Sequence, residues 1–88
     1  MAKKMVGLSF PNPSRSYDAS RRCVCFWGYD NAREIAFLVD GQMLMKLNPG
    51  TRSEETDLLA AFDRSLDQIR ELAKTLYKGD QQSRYVIS

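Results

Sequence analysis

Residues 59 to 76 read LAAFDRSLDQIRELAKTL, and Leu59, Phe62, Leu66, Ile69, Ala73 and Leu76 recur in steps of three and four. That spacing puts six apolar side chains on one face of a helix, and a face of that length has to be covered by something. The covering element has to come from the strand-like first half of the chain. The helix is expected from near Ser53 to Lys78, 26 residues or ~39 Å at 1.5 Å each. Thr51 and Glu54 resemble a capping box at its start, Glu54, Glu55 and Asp57 place negative charge at the positive end of the dipole, and Gly79 supplies the stop. A compact domain of this size is about 31 Å across, so the first turns are expected to overhang or fray. The same stripe could serve as a coiled-coil seam, but fewer than three heptads fit, which favours core packing.

Working back from the helix, Val6, Leu8 and Phe10 alternate with Gly7 and Ser9 as a short first strand, stopped at Pro11-Asn12-Pro13. Residues 14–20 are polar and turn-prone. Arg22 to Trp27 and Arg33 to Val39 read as two strands of a hairpin, with Gly28-Tyr29-Asp30-Asn31 as its turn. Ile35, Phe37 and Val39 share one face of the second of these strands. Asp40 is placed to cap a short helix carrying Met43, Leu44 and Leu47, which Asn48-Pro49-Gly50 ends. Tyr85, Val86 and Ile87 form a last strand in need of a sheet edge. The expected architecture is one α+β domain over residues 1–88, a mostly antiparallel four-stranded sheet of order β-β-β-α-α-β packed by one long C-terminal helix.

Composition bounds the functions available. With 88 residues, 43% hydrophobic and 27% charged, the chain has the make-up of an ordinary globule with one core. The longest strongly apolar run is Ile35 to Val39, far short of the ~20 residues that cross a bilayer, and the start of the chain turns polar too soon for a secretory apolar core. Cytoplasmic residence, with no membrane association, is the expectation. The net charge is +2, split unevenly: residues 1–33 hold six basic and two acidic groups, residues 34–88 seven and nine.

Few residues offer chemistry. Cys23 and Cys25 are the only cysteines and the chain has no histidine, so a four-ligand zinc site cannot be assembled from one copy. Two residues apart on a strand, their α-carbons lie ~6.6 Å apart, beyond the usual disulfide span. They read as small apolar residues. Asp63, Asp67 and Glu71, interleaved with Arg64, Arg70 and Lys74, have the pattern of a solvated helix face with ion pairs, not of a desolvated acid, and the five glycines form no phosphate loop. No catalytic residue, cofactor or metal is expected, and a small enzyme is the least favoured reading.

The remaining cluster is Arg15, Tyr17, Arg21, Arg22, Trp27, Tyr29 and Arg33, basic groups interleaved with aromatic ones in and around the hairpin. Guanidinium groups match phosphates and flat rings stack on bases, so this composition suits a small nucleic-acid surface, although it matches no established motif. Strand parity bears on Trp27. If Val24 and Phe26 face the long helix, Cys23, Cys25 and Trp27 lie on the other sheet face and mark an interaction site; with reversed parity Trp27 is core. The function expected is binding to another protein or to a second copy, with nucleic acid as the alternative.

The order Leu8-x-Phe10-Pro11-Asn12, Ser16-Tyr17-Asp18, Val24-x-Phe26-x-Gly28-x-Asp30, Glu34-Ile35-x-Phe37, then Ala60-Ala61-Phe62-Asp63 with Ile69 and Tyr77, resembles a small bacterial family catalogued as domain of unknown function 1488. The resemblance runs from about Leu8 to Ile87. It implies a stand-alone α+β protein of proteobacterial type and assigns no activity, ligand or residue role.

Overall fold

The structure is a computed structural model that describes residues 7–88; Val6, Lys3, Lys4 and the leader reading of the first residues lie outside them. The elements are β1 (Leu8–Ser9), β2 (Arg15–Asp18), β3 (Cys23–Asp30), β4 (Arg33–Asp40), α1 (Gly41–Leu47), α2 (Glu55–Arg64), α3 (Leu66–Leu76) and β5 (Arg84–Ile87). The chain is α+β, as expected, but two parts of the expected architecture are corrected.

The sheet is mixed and five-stranded, not mostly antiparallel and four-stranded, and the element order is β-β-β-β-α-α-α-β. β1 and β2 both run antiparallel along one edge of β3, β3 and β4 form an antiparallel hairpin, and β5 lies parallel to β4 with Phe37 opposite Tyr85. The parallel pair follows from connectivity: the helices between β4 and β5 carry the chain back to the end of the sheet where β4 began, so β5 must run the same way. The hairpin itself is tighter than its sequence suggested. Gly28, Tyr29 and Asp30 belong to β3, and the loop is Asn31-Ala32 alone, with Asn31 at φ 58°. Gly28 is needed as a strand residue, because a β-carbon there would stand 3.0 Å from both Leu8 Cδ1 and Phe10 Cε1. Residues 14–20, read as a turn, contain β2, which exists because Arg15 to Asp18 pair with Phe26 to Cys23. Between β1 and β2, Phe10 to Ser14 bulge out opposite Trp27 and Gly28, carrying Pro11 and Pro13.

The second correction concerns the C-terminal helix, which is two helices. The chain breaks at Ser65, with φ −106° and ψ 17°. There the Asn48 side-chain amide donates to Ser65 Oγ at 2.6 Å and, more weakly, to the Ala61 carbonyl at 3.4 Å. The Ser65 amide keeps its bond to the Ala61 carbonyl at 3.0 Å, so Asn48 ties the end of the short helix to the break without displacing the ladder. The first helix starts at Glu55, not Ser53, and no capping box forms: the Thr51 hydroxyl donates to the Asn48 carbonyl. The second ends at Leu76, before Gly79, because Tyr77 turns extended and buries its ring with its hydroxyl donating to Asp30 at 2.6 Å. The short helix is as read, with Asp40 accepting from the Gln42 amide and Asn48 at its end.

One core lies between the helices and a single face of the sheet. Val24, Phe26, Ile35, Phe37, Val39, Tyr85 and Ile87 meet Leu44, Leu58, Ala61, Phe62, Ile69 and Ala73. Phe62 and Ile69 are 2% and 0% exposed, and the Phe26 ring stacks on Phe37 with centroids 5.3 Å apart. The kink shifts the buried stripe: Leu59 and Leu66 are only half-buried and Leu76 turns outward, while Leu58, Ser65 and Tyr77 are taken in.

Candidate functional site

With Val24 and Phe26 in the core, alternation sends Cys23, Cys25, Trp27 and Tyr29 to the other side of β3. Register then assembles that side. Cys25 lies between Ser16 and Leu38, and Leu38 is followed by Val86; Trp27 is followed by Ala36 and then Arg84; Tyr29 lies between Ser9 and Glu34. Among the described residues no helix lies on this face. Its middle is apolar, made by Cys25, Trp27, Ala36, Leu38 and Val86, and its ends carry Asp18, Asp40, Glu34 and Arg84. Trp27 and Cys25 are half-buried, Cys23 and Leu38 are each 4% exposed, and Val86 is 59% exposed. The Tyr29 hydroxyl donates to Glu34 at 2.6 Å, which pushes its pKa above the ordinary phenol range and fixes the ring at the rim.

The basic and aromatic residues singled out in the sequence do not form one surface. Trp27 and Tyr29 share the open face. Arg15 and Tyr17 point to the helix side, where Arg15 makes a bidentate pair with Asp63 at 2.9 and 2.8 Å and Tyr17 packs against the core. Arg33, at the hairpin loop, donates to the backbone carbonyls of Asp80 and Gln82 and so ties the approach to β5 onto the sheet. Arg21 and Arg22 are exposed in the turn before β3, where Arg22 has φ 52° and its carbonyl accepts the Gly41 amide. That turn and Arg33 lie at opposite ends of the hairpin, about 25 Å apart for an eight-residue strand.

Both cysteines are free thiols. Burial, the larger effect, pushes both thiols up, which disfavours the reactive thiolate. Among the described residues no group of three or more His, Cys, Asp or Glu side chains is placed to hold a metal ion, and no helix is long and apolar enough to cross a membrane.

A second surface escaped the sequence reading. An apolar groove of ≈ 480 Å³ runs between Met43 and Leu47 of α1 and Leu72 of α3, with the exposed carboxylates of Asp67 and Glu71 on its rim. It continues past Leu72, Thr75 and Leu76 into a recess of ≈ 380 Å³ at Val86 and Ile87 on the free side of β5. Leu76 and Val86, the exposed large hydrophobic residues of the described chain, both border that recess. The only sequence signal was Leu72, an apolar residue of the long helical segment that lies off the stripe.

A family model described as "Protein of unknown function (DUF1488)" matches residues 8–88. A crystal structure from Shewanella loihica PV-4, described as a protein of unknown function from the same family, superposes with a TM-score of 0.81 over 97% of this chain and 96% of that one, at 16% identity. At that identity the likeness is one of fold. No curated protein matches the chain.

Proposed function

The chain belongs to the DUF1488 family, and from that premise we propose that it is a non-enzymatic cytoplasmic module that binds another protein through the open face of its sheet. The observation that supports this is the helix-free apolar patch centred on Trp27, with Cys25, Ala36, Leu38 and Val86 around it. Tryptophan with small and aliphatic neighbours inside a polar rim is the make-up of an interface centre. A patch of this kind held on regular strands needs no ordering before it binds. Mixed charge at its ends, from Asp18, Asp40, Glu34 and Arg84, suits a protein better than a uniformly anionic polymer.

The test is a pull-down from the native cell, with and without nuclease, using the natural chain and Trp27→Ser. A protein captured by the natural chain, retained after nuclease and lost with Trp27→Ser, is the expected result. Capture that disappears with nuclease, or binding to single-stranded nucleic acid that falls steeply between about 50 and 200 mM salt, would transfer the reading to nucleic acid. Strongly blue-shifted Trp27 emission resistant to iodide in the dilute protein would remove the interface altogether.

A further inference from the structure

The two edges of the sheet are unlike. One is formed by β1 and β2 and is interrupted by the Phe10–Ser14 bulge, where Pro11 and Pro13 lack amide donors. Prolines and bulges on an edge are how sheets prevent unwanted pairing. The other edge is β5, Arg84-Tyr85-Val86-Ile87, which among the described residues pairs only with β4 and has neither proline nor bulge. Its residues are β-branched or aromatic apart from Arg84, and both exposed large hydrophobic residues, Leu76 and Val86, stand beside it. An open edge flanked by uncovered apolar groups is the arrangement that accepts an added strand.

We propose that the occupant of this edge is the β5 strand of a second copy, paired antiparallel about a two-fold axis. Three observations select a second copy. The first is closure: an isologous β5–β5 contact satisfies both free edges at once and leaves the joined sheet bounded on each side by a proline-guarded edge, whereas a foreign strand leaves a new edge open. Parity is the second. Arg84 and Val86 face the open side, Tyr85 and Ile87 the helix side, so faces stay matched when Val86 lies opposite Val86 of the other copy, with Tyr85 opposite Ile87 and Arg84 opposite Ser88. The third is charge: in that register the strand's one cation does not meet itself, and a net charge of +2 gives little repulsion between copies.

The area sets the strength. A strand of four or five residues with its flanking side chains buries on the order of 400 Å² per copy, short of the roughly 800 Å² of a standard interface, so the dimer is reversible and weak. It shares Val86 with the Trp27 patch, and pairing at the edge would leave the two open faces side by side as one broader face.

The experiment is sedimentation equilibrium of the natural chain and Val86→Lys from about 10 μM to 1 mM, a span chosen for a weak dimer. The natural chain should approach twice the monomer mass at the top of the range, and Val86→Lys, at a position already exposed, should remain monomeric with unchanged circular dichroism. As a second arm, Val86→Cys should give a covalent dimer under mild oxidation, with peptide mapping placing the disulfide between the two introduced thiols, since directly opposed residues have β-carbons ~5 Å apart. Arg84→Cys, ~13 Å from its own copy in this register, should not. A natural chain that stays monomeric to 1 mM overturns the proposal. So does a dimer indifferent to Val86→Lys, or equal cross-linking by the Arg84→Cys and Val86→Cys variants.

Discussion

Replacing Asn48 by alanine tests what holds the bend between α2 and α3. The Asn48 amide donates to Ser65 Oγ at 2.6 Å, and Ser65 is only 4% exposed. Its bonds to the Leu44 and Ala61 carbonyls, at 3.4 Å each, are weak. A well-formed bond contributes about 1 kcal/mol net, and stranding a buried hydroxyl costs about 1 to 2 kcal/mol more, so Asn48→Ala should destabilise by about 2 to 3 kcal/mol. For a domain of this size that lowers Tm by roughly 10 to 20 °C, and with a urea m-value near 1 kcal/mol per molar it moves the midpoint by about 2 M. Urea unfolding of Asn48→Ala, Ser65→Ala and the double variant closes the cycle. Because removing both partners leaves no orphaned group, the double variant should cost about 1 to 2 kcal/mol less than the sum of the singles. Additive singles, or an Asn48→Ala cost under about 0.5 kcal/mol, would show that the bend is held by backbone preference and not by this amide.

Further expectations concern the core and its hydroxyls. Phe62→Ala empties a fully packed position 5.3 Å from the Phe26 ring and should cost about 3 to 5 kcal/mol in the same assay. Gly41→Ala sets a β-carbon 2.9 Å from the Arg22 carbonyl and 3.3 Å from Leu58 Cδ1; since a backbone atom cannot swing away, a loss of about 1 to 3 kcal/mol is expected, with the amides of residues 21–23 shifting in NMR spectra. Tyr77 titrates higher than usual because its hydroxyl is bonded to the Asp30 carboxylate and is buried, and Tyr85 does so mainly through burial. A raised folded-state pKa means that stability is complete below the ordinary tyrosine value, about pH 10, and is lost as pH rises through the folded-state value; urea midpoints should therefore fall in that alkaline window, and less steeply in Tyr77→Phe.

Local chemistry was legible where it decides the outcome. The alternation of Ile35, Phe37 and Val39, the Asp40 cap, the Asn48 stop and the burial of Phe62 and Ile69 all appear as read. What escaped the sequence depends on distant partners. Arg15 to Asp18 carry no apolar alternation and are a strand only because β3 offers its edge. The break at Ser65 is bonded to a side chain 17 residues earlier, and the residue that follows the helix end at Leu76, Tyr77, is bonded to Asp30, 47 residues away. The direction of β5 is set by the route of the chain, which no local pattern encodes. For the site, parity was the right question, and packing against the helices answered it. The basic cluster dispersed because neighbours in sequence alternate across a sheet and its members span the hairpin from end to end.

The parallel pairing of the last strand orders events during synthesis and refolding. Hairpin β3–β4 closes through two residues, whereas β5 reaches Phe37 only after the intervening chain of three helices has emerged and folded back. Closing that long loop costs roughly 3 kcal/mol more in chain entropy than closing the hairpin. Until then β4 is itself a bare border lined with Ile35, Phe37 and Val39, so nascent or refolding molecules pass through a stage at which they adhere to one another, and recovery of native protein should decline as refolding concentration rises.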